Sequence, residues 1–178
     1  MAYITPADLA ERPGAREIAQ VASLPHQMVR SDALMDATLR GSDRSAWTAE
    51  EVQGADVVLA RVQDAIGEAS ALIDGYLGQR GYKLPLVLPP ATSGQSVLMV
   101  WSRAITRYLL NKDRVQDVTK DPIGRDYQDA LRMLGLVAQG KFSLGADDPE
   151  GASQKTSTDV RFAGDEPVFG RRQLRAFR

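Results

Sequence analysis

Apolar residues return at steps of three and four along three stretches of this chain, and each stretch reads as an amphipathic helix whose apolar side needs a partner. The first lies near 55–79. Val58, Val62, Ala65, Ile66, Ala69, Leu72, Ile73 and Tyr76 share one side, with Arg61, Asp64, Glu68 and Asp74 opposite. Thr48 followed by Glu51 forms a capping box ahead of it, and Gly54 marks where regular helix begins or bends. The second lies near 94–111, with Val97, Leu98, Trp101, Ala104, Ile105, Tyr108 and Leu109 as its stripe and Thr92 with Gln95 as a second capping box. The third lies near 121–139. Asp121 caps it, Pro122 takes the first helical position, and Gly140 ends it; Tyr127, Ala130, Leu131, Leu134, Val137 and Ala138 form its buried side.

Shorter elements flank these three. Thr5, Pro6 and Asp8 start a helix that Pro13-Gly14 stops or kinks, and "AREIAQVAS" gives a second short helix with Ile18, Val21 and Ala22 on one side. From Leu24 the pattern blurs, and 24–54 reads as a variable, loop-rich insertion with at most short helices. In "IDGYLGQRGYKLPLVLPP" the apolar Leu84, Leu86, Val87 and Leu88 do not alternate with polar residues, and Pro85, Pro89 and Pro90 remove backbone donors. That favours a connector packing its leucines over the end of a helix pair, and disfavours a central strand. The expected fold is all-α: a small helical bundle over 1–145, with the N-terminal helices across one end, and an extended C-terminal arm over 146–178.

Composition changes after Gly145. "ADDPEGASQKTSTD" is almost free of large apolar residues, and the "VRFAGDEPVFGRRQLRAFR" that follows spaces Phe162, Val168, Phe169, Leu174 and Phe177 through a polar tail. The last eight residues carry Arg171, Arg172, Arg175 and Arg178 and no acid. Spaced aromatic and arginine anchors are common interface hot spots, so the tail reads as an arm that docks on another protein before it reads as a phosphate-binding one. Phe162, Val168, Phe169, Arg171, Arg172, Leu174 and Phe177 are its expected contact residues. With 178 residues and a formal net charge of -1, the chain can bury a sizeable core and is no general electrostatic magnet for nucleic acid. It has no cysteine, which excludes disulfides and thiolate metal sites. The first residues lack the basic and apolar regions of a signal peptide, and no apolar run approaches the ~20 residues of a membrane helix, so a soluble protein made in the cytoplasm is expected.

Catalytic chemistry finds little support. His26 is the sole histidine, no G-x-S-x-G elbow occurs, and nothing near His26 in the sequence would orient it as a base. Glu50-Glu51, Asp147-Asp148 and Asp165-Glu166 are adjacent pairs that do not face each other on a helix. The glycines of "GYLGQRGYKLP" lack the ending of a phosphate loop. No enzyme, no cofactor and no metal site is expected.

Four blocks together resemble one family in order and spacing: "YITPADLAERPG" with "REIAQ"; "AIGEASALIDGYLGQRGYKLPLVLPP"; "RDYQDALRMLGLVAQGKFSLG"; and "VFGRRQLRAF". The chain resembles the head–tail connector (adaptor, or head-completion) proteins of tailed bacteriophages, in their Mu-like branch. The resemblance omits roughly Leu24 to Gly54 and the polar linker. Pro13 stands where an aromatic residue often precedes the glycine, and Gly81 separates Arg80 from Tyr82. The resemblance implies a non-catalytic virion protein of the neck, forming a ring of probably twelve copies beneath the portal. Such a ring extends the DNA channel, touches packaged DNA transiently and without specificity, and offers a platform to the tail or to a stopper or tail-completion protein. The expected partners are the portal protein, that tail-side protein and further copies of the chain, with no membrane. A small helical nucleic-acid-binding or regulatory protein is the alternative; it would need one basic face, and the strong helices carry mixed charge.

Overall fold

The structure is a computed structural model that describes residues 2–23, 29, 31–84, 86 and 93–144. Among them there are α-helices, turns and loops and no strand, so the fold is all-α as expected. Helix α1 (Pro6–Leu9) starts as its sequence signal requires: Asp8 N–H donates to the Thr5 hydroxyl, and the Asp8 carboxylate accepts from Thr5 N–H at 2.7 Å. At Arg12 the backbone is extended (φ -151°, ψ 117°), and Gly14 adopts φ 115°, so the chain kinks at Pro13-Gly14 before α2 (Ala15–Ala22).

Helix α3 (Asp32–Arg40) is a short helix within 24–54, as the sequence pattern allows. Ser31 caps it, accepting from Leu34 N–H at 3.2 Å, and Leu34, Met35, Ala37, Thr38 and Leu39 are buried. Met35 and Leu39 join the same apolar cluster as Ile4, Leu9, Ile18 and Ala22. Helix α3 thus contributes to the core, while 41–48 is turn and loop, mostly exposed. Its apolar face spans barely two turns, too short for a periodic signal to rise above the surrounding polar residues.

Helix α4 (Ala49–Arg80) is the longest element. Its 32 residues span about 48 Å at 1.5 Å per residue. The Thr48–Glu51 capping box forms as expected, but the helix begins at Ala49 and runs through Gly54, so that glycine does not start it. The end comes at Gly81, whose φ of 95° suits a residue without a Cβ; Gly81 N–H donates to the Gly78 carbonyl and Tyr82 N–H to the Leu77 carbonyl. Most of "IDGYLGQRG" is therefore the last turns of a helix. Beyond it, Tyr82 is buried and Leu86 packs on the core, while Leu84 departs from expectation and stays 45% exposed. Pro85 and 87–92, with the proposed Thr92 cap, lie outside the described residues.

Helices α5 (Ser93–Asn111) and α6 (Pro122–Ala138) form a hairpin. Asp121 caps α6 through Ile123 N–H at 2.8 Å, with Pro122 at the first position. Tyr108 stacks on Tyr127 with ring centroids 4.0 Å apart, and Trp101 meets Phe142 at 6.0 Å, so the two helices run antiparallel. The second half of α4 closes a three-helix core with them through Ile73, Leu77, Leu98, Ile105, Leu134 and Val137. The first half of α4 carries Val58, Val62 and Ile66 into the other cluster, where α1–α3 pack across one end as expected. Of the expected stripe residues, Leu72, Tyr76, Tyr127 and Leu131 sit at the margin, partly buried. No described helix is long and apolar enough to cross a membrane.

Tyr3 ties the start of the chain to the second half of α4, its O–H donating to the Asp74 carboxylate. Asp74, read from sequence as solvent-facing, is half-buried by that contact. Burial of Tyr3, then the hydrogen bond and charge of Asp74, raises the phenol's pKa well above its usual value. The folded state disfavours tyrosinate, so this contribution is whole below about pH 10 and is lost as pH rises beyond it. Thermal unfolding followed by circular dichroism between about pH 8 and 12 should show a falling midpoint in the native chain. The fall should be smaller in Tyr3→Phe, and equal curves would rule out Tyr3 as a source.

Gly124 is the tightest approach. A Cβ there would meet the Val118 carbonyl oxygen at 2.5 Å and its Cα at 2.7 Å, both backbone atoms. Alanine gains up to ~1 kcal/mol in helix propensity, whereas overpacking costs about 1–3 kcal/mol. Gly124→Ala should therefore lower stability in urea unfolding.

Candidate functional site

Helix α5 contains no acidic residue, which corrects the expectation of mixed charge on every strong helix, so any carboxylate its arginines meet belongs to another element. Arg107 finds Glu17 of α2 in a bidentate pair, its Nε donating at 2.5 Å and its Nη2 at 2.8 Å. That hydrogen bonding raises the pKa of Arg107 above the usual arginine value against the opposing effect of burial; the charges of Glu17, Asp126 and Asp121 add to it. Arg103, one turn earlier, has its Nε buried and without a hydrogen-bond partner among the described residues.

These arginines line one side of an open groove of about 360 Å³ between α5, α6 and the kink at Arg12 and Pro13. The α5 side carries Val100, Trp101, Arg103, Ala104 and Arg107, the three- and four-residue steps of one helix edge. The α6 side carries Asp126, Asp129, Ala130 and Met133 with the same spacing. Because the helices are antiparallel, Arg107 and Asp126 lie toward one end and Val100, Trp101 and Met133 toward the other. Val100 is 56% exposed, the most exposed large apolar side chain among the described residues. Asp129 already pairs with Arg132 at 2.9 Å, but both side chains are mostly solvated and such a pair contributes little. The groove thus offers an apolar end, two partly buried arginines and two solvent-facing carboxylates, features suited to binding a peptide or a protein surface.

The arm residues singled out from sequence, Phe162, Val168, Phe169, Arg171, Arg172, Leu174 and Phe177, lie outside the described residues, as does His26. The two sets of residues, arm and groove, come from separate observations. Sequence reasoning missed the groove. The available signals were Val100, an apolar residue off the α5 stripe, and a helix with arginines at 103 and 107 but no acid. Among the described residues no group of three or more His, Cys, Asp or Glu is placed to hold a metal ion.

The described residues thus form an all-helical fold with an open groove at the α5–α6 edge. Residues 3–162 match the family described as bacteriophage Mu, Gp36, and the chain belongs to that family. It is 37% identical over 149 residues to the Mu-like prophage FluMu protein gp36 of Haemophilus influenzae, covering 83% of this chain and 95% of that protein. It is 33% identical over 115 residues to gene product J of Escherichia phage Mu, covering 64% of this chain and 74% of that one. No solved structure matches. The match ends at 162, short of the "VFGRRQLRAF" block.

The Glu17–Arg107 pair is roughly one-third exposed on each side and joins the N-terminal cluster to the groove. A double-mutant cycle of Glu17→Ala and Arg107→Ala in urea unfolding should give a coupling of about 1 kcal/mol, reflecting its bidentate geometry and partial burial. A coupling of zero would mean the pair contributes nothing to joining the two regions.

Proposed function

We propose that this chain is a structural virion protein that connects phage head to tail. In this reading it forms a closed ring beneath the portal, probably of twelve copies, extends the DNA channel and presents a platform for a stopper or tail-completion protein. The observation that carries the reading is the match to the Mu Gp36 family over nearly the whole chain, which supports a phage structural or morphogenesis protein. The resemblance to head–tail connectors supplies the finer role. The architecture is compatible with it: a ring built head-to-tail needs two different, complementary surfaces on each copy, and the α5–α6 groove supplies a candidate for one. The role is one of assembly, with no catalytic step, and contact with packaged DNA is transient and non-specific. Side-by-side opposite charges on α6, at Asp129 and Arg132, favour a protein partner over a nucleic acid that would require a basic face.

Deletion after Gly145 tests the arm within this function. In a phage lacking the native gene, complementation with the truncated chain should leave DNA-filled heads and finished tails unjoined, seen by electron microscopy, with titre reduced at least a hundredfold. Wild-type titre from the truncation would remove the arm from the proposal. Absence of the full chain from purified virions would overturn the connector reading itself.

A further inference from the structure

We propose that the α5–α6 groove is the receptor for residues 165–172 of a second copy, "DEPVFGRR". This rests on the connector reading for its ring, and it assigns the head-to-tail contact within that ring to two named surfaces. Two features of the groove match two features of the segment. Val100, Trp101 and Met133 form its apolar end and suit Val168 and Phe169. Asp126 and Asp129 face solvent on the α6 side and suit Arg171 and Arg172. Along the groove the apolar end precedes the carboxylates, as Val168 and Phe169 precede Arg171 and Arg172 in the segment.

The chain also has the necessary reach. Twenty residues separate Leu144, the last described residue, from Asp165, and at ~3.3 Å per residue they span at most about 66 Å. That is enough to cross from one bundle to the next. A segment docking on a neighbour's groove uses two different surfaces of the same chain, which is the heterologous contact that closes a ring. Each such contact is small, and summation around a closed ring makes the set stable.

The absence of native cysteine gives a clean test. Two full-length variants with different tags, Met133→Cys and Phe169→Cys, are mixed and oxidised. The groove assignment predicts a disulfide heterodimer at least tenfold above the yield of Phe169→Cys with Glu68→Cys, on the exposed face of α4. Asp126→Lys with Asp129→Lys should lower that yield about tenfold, and adding Arg171→Asp with Arg172→Asp to the partner should restore it. Equal yields at both positions, or no heterodimer, overturn the assignment. So does a diluted double variant, Met133→Cys with Phe169→Cys, that bridges within one chain, because the segment then closes on its own core. If circular dichroism shows that Met133→Cys has lost helix, Ala104→Cys replaces it. The same pairs are examined in virions. Chain present there without the bridge overturns the groove assignment and leaves the connector reading standing. Chain absent from virions overturns the connector reading, and the purified mixture then decides the groove alone.

Discussion

Burial of one continuous stripe along α4 is the constraint on which the rest of the molecule depends. Val58, Val62 and Ile66 face α1–α3, and Ala69, Ile73 and Leu77 face α5 and α6. Helices of four, eight and nine residues, such as α1, α2 and α3, are far below the ~12–15 residues at which an isolated helix becomes even marginal in water. They persist because α4 covers their short apolar faces, and each fully buried Leu, Ile or Val adds about 1.5–3 kcal/mol relative to exposure. Polar ties then fix the arrangement: Tyr3 reaches Asp74, and Glu17 holds Arg107.

The groove follows from that packing. With α4 covering one side of the α5–α6 hairpin, the opposite edge is left with Val100 in solvent, and the kink at Arg12 and Pro13 forms its border. Having no acids of its own, α5 borrows negative charge from α2 and α6, which puts cation and carboxylate on facing sides of the same depression. Fold and candidate interface are consequences of one distribution of residues, with apolar positions settling the helices and the leftover charges marking the surface.

The long helices were legible because each has several turns of regular pattern and a local start signal. Thr48, Asp121 and Thr5 all cap as their sequence context indicates. Helix α3 was hidden because its apolar face is brief and its burial depends on residues distant in sequence. Gly54 misled because a glycine within a long helix costs only about 1 kcal/mol, which the buried stripe outweighs. Asp74 looked solvent-facing because its partner, Tyr3, lies 71 positions away. The groove was beyond reach of pattern reading for the same reason: its two sides belong to different helices, and only their antiparallel docking places Arg103 opposite Asp129. The anchors expected in the arm fall outside the described residues.

The unbroken run of α4 also restricts how this protein can vary in length. Each residue advances a helix by about 100°, so inserting or deleting one residue near Ala65 would swing every later side chain about a quarter-turn away from its neighbours. Ile73 and Leu77 would then point toward water while Glu68 and Asp74 turned inward. A change of seven residues restores the phase to within about 20° and moves one end of the rod by about 10 Å. Loops can therefore change length freely, whereas the spine tolerates resizing only by near-whole numbers of turns, about seven or eleven residues at a time.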